Sequence, residues 1–315
     1  TSVADRLAGQ SWATRLPFPV WTVSRVESLD QIAGRKFVQR YAYHHGYYDV
    51  VERQFRGFAR VDRYDTESFD DFWSGTPNGE ELVIEGQVME SDLHQAPILT
   101  RTWFMTGAFE RPSELMSRLS TEFWVDDPVA AQLPLPSWPR YLRPSEAREA
   151  TEVLAGQTFR TEVYALDGTS LQTTPYAVSQ QEVVIQCLQR RNDEQRAVFR
   201  VVPRQSISLA CERDLSDARV SQSCTLEVDA YGAVRRSVAL AYPRRHVDAF
   251  GAQEVFHVVL SENDLAHVTG DPDGLRLALG VESRSFELHG LSAPSDGSLL
   301  SWQDVKAAAD SAITI

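Results

Sequence analysis

Lysine is nearly missing from this chain of 315 residues: Lys36 and Lys306 stand against 29 arginines in a basic total of 31. Arginine stacks on rings and forks onto carboxylates, although a compositionally biased genome would give the same excess. No run of about 18 apolar residues exists, so no segment reads as a membrane-spanning helix. The start, Thr1-Ser2-Val3-Ala4-Asp5, has neither the basic nor the apolar region of a signal peptide, and no Met; we read the chain as a fragment of a longer one. Cysteine is scarce: Cys187, Cys211 and Cys224 show no metal-type spacing and cannot all pair, which argues against a disulfide framework. A basic excess is missing too. With 44 acidic residues, a net charge of −13 and a pI near 5.0, broad nucleic-acid or membrane-surface binding is disfavoured. There is no Gly-x-Ser-x-Gly nucleophile elbow, and Gly75-Thr76-Pro77-Asn78-Gly79 is a turn rather than a phosphate cradle.

What is present is a globular composition, 43% hydrophobic and 24% charged. A chain this long buries roughly three quarters of its unfolded surface and needs no staples. Most of it reads as strand. Phe37, Gln39, Tyr41 and Tyr43 share one face and Val38, Arg40, Ala42 and His44 the other. His45-Gly46-Tyr47-Tyr48-Asp49 reads as a five-residue hairpin loop in which Gly46 takes positive φ, and Gly57 in the returning strand reads as a bulge. Phe159, Thr161, Val163 and Ala165 alternate up to the turn Asp167-Gly168. Strands then follow over 176–188 and 197–202, through the even-numbered apolar positions Leu226 to Tyr242, and over 254–260 and 284–288. Helices open at Pro112 and Pro144 and run to about Trp124 and Leu154, and a third covers Ser301 to Ala309 or frays there. The fold class is mainly β: long antiparallel hairpins in an extended curved sheet with two or three short helices. We divide it into a β-hairpin lobe over 1–125 ending in a helix, a Pro-rich connector with a short helix over 126–156, and an antiparallel β lobe over 157–315, separate from the first or continuous with it.

The cluster that most resembles a metal site or general base is His44, His45 and Asp49. Adjacent histidines on a strand face opposite ways, so a turn between them is needed to grip one ion; packed, hydrogen-bonded rings at a hairpin tip are the plain alternative. Cys187 lies in an apolar strand and reads as a small core residue. Asp271-Pro272-Asp273-Gly274 lacks the spacing of a calcium loop. Arg53, Arg56, Arg60 and Arg63, among Phe55 and Phe58, read as a nucleic-acid stripe or, with Glu52, Asp62, Asp65 and Glu67 interleaved, as a cross-strand ion and stacking ladder. Trp12, Trp21, Trp73, Trp103 and Trp138 are either stacking platforms or buried packing groups.

Several long motifs resemble one family. They are Leu16-Pro17-Phe18-Pro19-Val20; Arg40-Tyr41-Ala42-Tyr43-His44-His45-Gly46-Tyr47-Tyr48-Asp49; Glu52-Arg53-Gln54-Phe55-Arg56-Gly57-Phe58; Leu99 to Ala108; Arg160 to Gly168; Leu226 to Gly232; and Tyr242-Pro243-Arg244-Arg245. Together they resemble the middle region of the B component of bacterial insecticidal toxin complexes (the TcaC/TcdB type), where the chain leads into the Rhs-repeat shell. The resemblance implies a secreted, non-enzymatic structural module, without cofactor or metal. In that family the B component joins a C component carrying Rhs (YD) repeats, and together they form a hollow β cocoon around a cytotoxic segment. A propeller in the B component docks on the A-component pore, whose channel delivers the toxin. The propeller and the toxic segment lie outside these residues, and neither nucleic-acid binding nor direct membrane insertion is implied. The residues carrying the motif are Tyr41, Tyr43, His44, His45, Gly46, Tyr48, Asp49, Glu52, Arg53, Phe55, Gly57 and Phe58, and none is implied to be catalytic. Met105 stands where the family usually has a histidine. Two other readings compete: a carbohydrate- or receptor-binding β-module using the tryptophans, and a metal-dependent hydrolase using His44, His45 and Asp49. An isolated wall segment would also expose sheet edges and tend to self-associate.

Overall fold

The computed structural model describes residues 2–14, 16–32, 35–65, 96–125, 133–134, 141–193, 195–214, 217–245, 251–270 and 274–312. Most of the Pro-rich stretch, Glu67, Trp73, Gly75 to Gly79, Trp138 and Asp271 to Asp273 lie outside the described residues. Among the described residues the fold is mainly β, with 45% strand and 15% helix, and its antiparallel sheet structure is open rather than a barrel. The chain divides into two compact units, residues 1–124 with 155–177 and residues 125–154 with 178–315.

In the first unit, α1 (Ser2–Leu7) precedes β1 (Arg25–Asp30), β2 (Arg35–Asp49), β3 (Gln54–Tyr64) and β4 (Ile98–Phe104); α2 (Pro112–Ser120) and β5 (Thr158–Ala165) follow. The five strands pair antiparallel in chain order. The expected five-residue loop is not there: β2 runs on through His45 to Asp49, and the reversal occupies Val50 to Arg53. Asp49 closes that turn by accepting from the Val51 and Glu52 backbone N–H groups at 3.0 and 3.1 Å, while Arg53 takes the left-handed region at φ 54°. Gly57 does form a bulge. Its φ is 91°, and between the pairs Gly46–Phe58 and Tyr48–Phe55 the β3 strand gains one residue on β2.

In the second unit, α3 (Pro144–Glu152) precedes β6 (Ala177–Gln189), β7 (Val198–Ala210), β8 (Arg219–Val228), β9 (Val234–Ala241), β10 (His257–Val268), β11 (Arg276–Glu287) and α4 (Trp302–Ala312). From Val178 onward these strands too pair antiparallel in chain order. The even-numbered positions form the core: Cys224, Leu226, Val238, Leu240, Val258, Leu260 and Leu288 pack under Val305 and Ala309 of α4. So the C-terminal helix is docked rather than frayed. Ser301 caps it, accepting from Asp304 N–H at 3.2 Å and donating to the Asp304 carboxylate at 2.6 Å. Burial in this core pushes the Cys224 thiol up to about 12, as expected of an inert cysteine. Pro144 starts α3 and Glu146 caps it, accepting from Arg143 N–H at 3.0 Å. Arg190 then forks onto Glu146 at 2.8 and 2.7 Å, tying the turn after β6 to the helix.

Candidate functional site

The candidate site grows out of β2, whose one sequence run supplies groups to both faces of the first unit. His44 and His45 are both buried yet diverge. His44 Nδ1 lies 2.9 Å from Asp5 of α1, and His45 Nε2 lies 2.7 Å from Glu122, just after α2. Asp49 belongs to neither group: it pairs with Arg56 at 3.2 Å, both side chains nearly sealed from solvent. The three do not converge on one point, so the geometry required of a metal-dependent hydrolase is not formed. Among the described residues no group of three or more His, Cys, Asp or Glu side chains could hold a metal ion.

Around these groups lies a buried ionic lattice set by strand register. Arg60 stands opposite Trp103, and Trp103 opposite Arg160; one step along, Asp62 faces Arg101, and Arg101 faces Glu162. The second row therefore alternates in charge across three strands, the favourable arrangement for directly opposed residues. Glu122 drops onto the first row. It binds Arg60 Nη1 at 2.8 Å and receives Trp103 Nε1–H at 3.4 Å. Asp62 gathers Arg60 Nε at 3.1 Å and Arg101 Nε at 3.3 Å. Glu162, with no exposed surface, accepts from Arg160 Nε at 2.6 Å, Tyr164 Oη at 2.5 Å and Trp124 N–H at 3.0 Å. The Arg160 guanidinium also lies 4.7 Å from the Phe123 ring centre.

The electrostatics follow. Burial alone would raise the Glu122 carboxyl, but His45 and Arg60 overcome it and hold the group at about 2. Burial, the Glu162 charge and the hydrogen bond to it push the Tyr164 hydroxyl up. Burial and the Arg60 charge hold His44 down, against the pull of Asp62 and Asp5. Every acid in the lattice is thus committed to a partner. Such an assembly costs desolvation, and removing one partner from it leaves the other charge buried and unpaired.

Of the remaining motif residues, the aromatic ones pack on one another and on Phe18. Tyr43 packs on Phe58 at 5.0 Å, Phe58 on Phe55 at 5.3 Å, and Tyr41 stacks with Tyr43 at 6.5 Å. Tyr48 meets Phe18 edge-on at 5.0 Å. Gly46 is needed for space, not for positive φ: a Cβ there would stand 2.5 Å from Leu16 Cδ1. Glu52 and Arg53 sit exposed in the turn, and Arg63 is exposed as well, so the expected ladder is carried by Arg56, Arg60 and Asp62. Trp103 is wholly buried and Trp12 is packed on Phe58, whereas Trp21 is 99% exposed.

Two family models match. The model described as insecticide toxin TcdB middle/N-terminal region covers residues 1–76, and that for the TcdB middle/C-terminal region covers 149–272. The chain belongs to the TcdB-type insecticidal toxin B components, as part of their middle region. Solved relatives agree. The crystal structure of TcdB2-TccC3 without its hypervariable C-terminal region superposes at a TM-score of 0.74 and 26% identity, over 96% of this chain. The Photorhabdus luminescens Tc holotoxin pore gives 0.71 and 25%, again over 96%. This chain spans 14% of the length of each matched chain. No curated protein sequence matches.

In this TcdB-type segment Met105 is a core residue, 3% exposed, and its backbone pairs with Gly156 and Gln157 at 2.8 Å. Sequence reading missed Asp5 and Glu122 as partners of the histidines, because they lie 39 and 77 residues away. A local signal for the lattice did exist: Arg60-x-Asp62, Arg101-x-Trp103 and Arg160-x-Glu162-x-Tyr164 repeat an Arg and its partner at strand period. On β5 this polar face is the buried one, while Thr161, Val163 and Ala165 of the apolar series are only half-buried.

Proposed function

We propose that this chain is a non-enzymatic wall segment of the β-shell that a B component builds with its Rhs-repeat C component around a cytotoxic segment, for delivery through the A-component channel of a secreted complex. The observation that carries the reading is the match over 96% of the chain to TcdB2-TccC3 at a TM-score of 0.74. The site chemistry supports it. A wall needs strands locked in one register, and the charge-alternating row Asp62–Arg101–Glu162 penalises any slip, since a one-residue shift breaks every pair. An enclosing surface needs no free nucleophile or base, and in the lattice the carboxylates are paired with arginines or histidines. The polar docking of α3 and the apolar docking of α4 brace the second unit in the same way.

The test is protection. The parent B component is co-expressed with its C component, and the complex is treated with a nonspecific protease. Shell formation leaves the C component's toxic segment intact. In a parent carrying Glu162→Ala and Asp62→Ala the segment becomes cleavable. A toxic segment equally protected in that variant, with the complex assembled normally, would remove this region from the wall.

A further inference from the structure

The segment ahead of β1 lies along β2 as a strap, held near its end by Tyr41 and Tyr43, through Phe18 by Tyr48, and over residues 5–16 mainly by the His44–Gly46 run. Asp5 of α1 holds His44, and Trp12 Nε1–H donates back to Asp5 at 2.6 Å. Thr14 Oγ1 donates to the Gly46 carbonyl at 2.8 Å, and Leu16 covers Gly46. The decisive contact is the Ala13 backbone N–H, which donates to His45 Nδ1 at 2.9 Å. An N–H can only donate, so Nδ1 must present its lone pair. The proton of His45 then sits on Nε2, 2.7 Å from Glu122. Both ring nitrogens are used, and the strap bond exists only while the ring is neutral.

We propose that His45 is a proton-controlled latch: the neutral imidazole holds residues 12–14 on β2, and a proton added at Nδ1 releases them. A second ring proton would point at the Ala13 N–H, setting donor against donor. The charged groups facing His45 are Glu122, which favours the added proton, and Arg60 behind Glu122, which opposes it; His44 lies alongside at 6.3 Å. His44 behaves differently. It holds Asp5 through Nδ1, and its Nε2 faces Asp62 at 3.8 Å with Arg60 nearby, so a second proton there finds a carboxylate and keeps α1 attached. Acid therefore frees the middle of the strap while its helical end stays pinned. The Ala13 bond exists only with an unprotonated Nδ1, so the device responds to acidification.

Amide hydrogen exchange of the chain, read by NMR at Ala13 and corrected for the intrinsic pH dependence of exchange, tests this. From pH 7.5 to 5.5, protection of Ala13 should fall at least about tenfold, while amides in the β2–β3 pairing hold theirs. In His45→Gln, which offers a carbonyl oxygen that does not titrate, protection should be flat with pH. Unchanged protection in the wild type, or the same fall in His45→Gln, overturns the proposal. If His45→Gln does not fold, His44→Gln decides: a retained fall supports the latch, and a lost fall assigns the switch to His44 and refutes it. The readout needs only this chain, so either result leaves the shell reading standing.

Discussion

Replacing Glu122 by Gln isolates a carboxylate that lies outside the sheet and on which groups of β2, β3 and β4 converge. In the folded chain it sits at about 2 against an ordinary 4.5, held by His45 and Arg60. A lowered folded pKa means the deprotonated group favours folding, so this contribution is complete above about pH 4.5 and is lost as the pH falls toward 2. A gap of about 2.5 units corresponds to about 3 kcal/mol at neutral pH, at about 1.4 kcal/mol per unit. The side chain is only 22% exposed, so solvent screening removes little of this. Gln keeps one acceptor but turns an NH2 group toward either Arg60 or His45, and it cannot serve both. Urea unfolding, followed by the fluorescence of nearby Trp12 and Trp103, should therefore show Glu122→Gln destabilised by about 2–3 kcal/mol at pH 7, with no change in m. The gap between wild type and variant should narrow steadily below pH 4.5. A loss under about 0.5 kcal/mol, or a gap constant down to pH 3, would refute the electrostatic account of this site.

Other perturbations have equally definite outcomes. Glu162→Ala leaves Arg160 buried beside an empty acceptor position and should cost about 3–5 kcal/mol in denaturant titration, with Arg160→Ala nearly non-additive to it in a double-mutant cycle. Gly46→Ala drives a methyl into Leu16 and should lower stability by about 1–3 kcal/mol; the smaller Leu16→Ala background should recover part of that. Leu240→Ala empties a site 2% exposed beneath α4 and should cost about 2–5 kcal/mol, with faster exchange of the α4 amides. All twelve residues of β11 are exposed, so sedimentation velocity of the chain should show concentration-dependent association, weakened by Val281→Lys; a monomer at every concentration would contradict it.

Much of the fold was legible in the sequence because its signals are local. Alternation, Asp-Gly and Pro-Ser-Glu punctuation and the even-numbered apolar run from Leu226 to Tyr242 placed β2, β3, β5, β6, β9 and three helices, but only parts of β7, β8, β10 and β11. The short N-terminal helix, β1 and β4 were not expected: Ser2–Leu7 is six residues without a buried position, and β1 has no buried residue. The position of the first turn was misread because His45 and Gly46 look like loop residues. In the fold a positive φ of 57° at His45 and the close approach of Leu16 at Gly46 are absorbed within the strand. The motif residues His44, His45 and Asp49 were visible as a group, yet their partners were not. Asp5, Arg56 and Glu122 come from a helix, a bulge and a post-helix loop, and only tertiary register joins them. The buried face of β5 was misjudged for a related reason: hydrophobicity marks Thr161 and Val163, whereas charge complementarity across β3 and β4 buries Arg160, Glu162 and Tyr164.

The central claim, that this segment is shell wall, is tested most directly by an electron cryomicroscopy map of the parent B component bound to its Rhs-repeat C component. The account predicts β1 to β11 as wall strands surrounding density for an enclosed segment, with the Asp62–Arg101–Glu162 row intact. A closed shell complete without these strands, or this segment lying free outside it, would contradict the account.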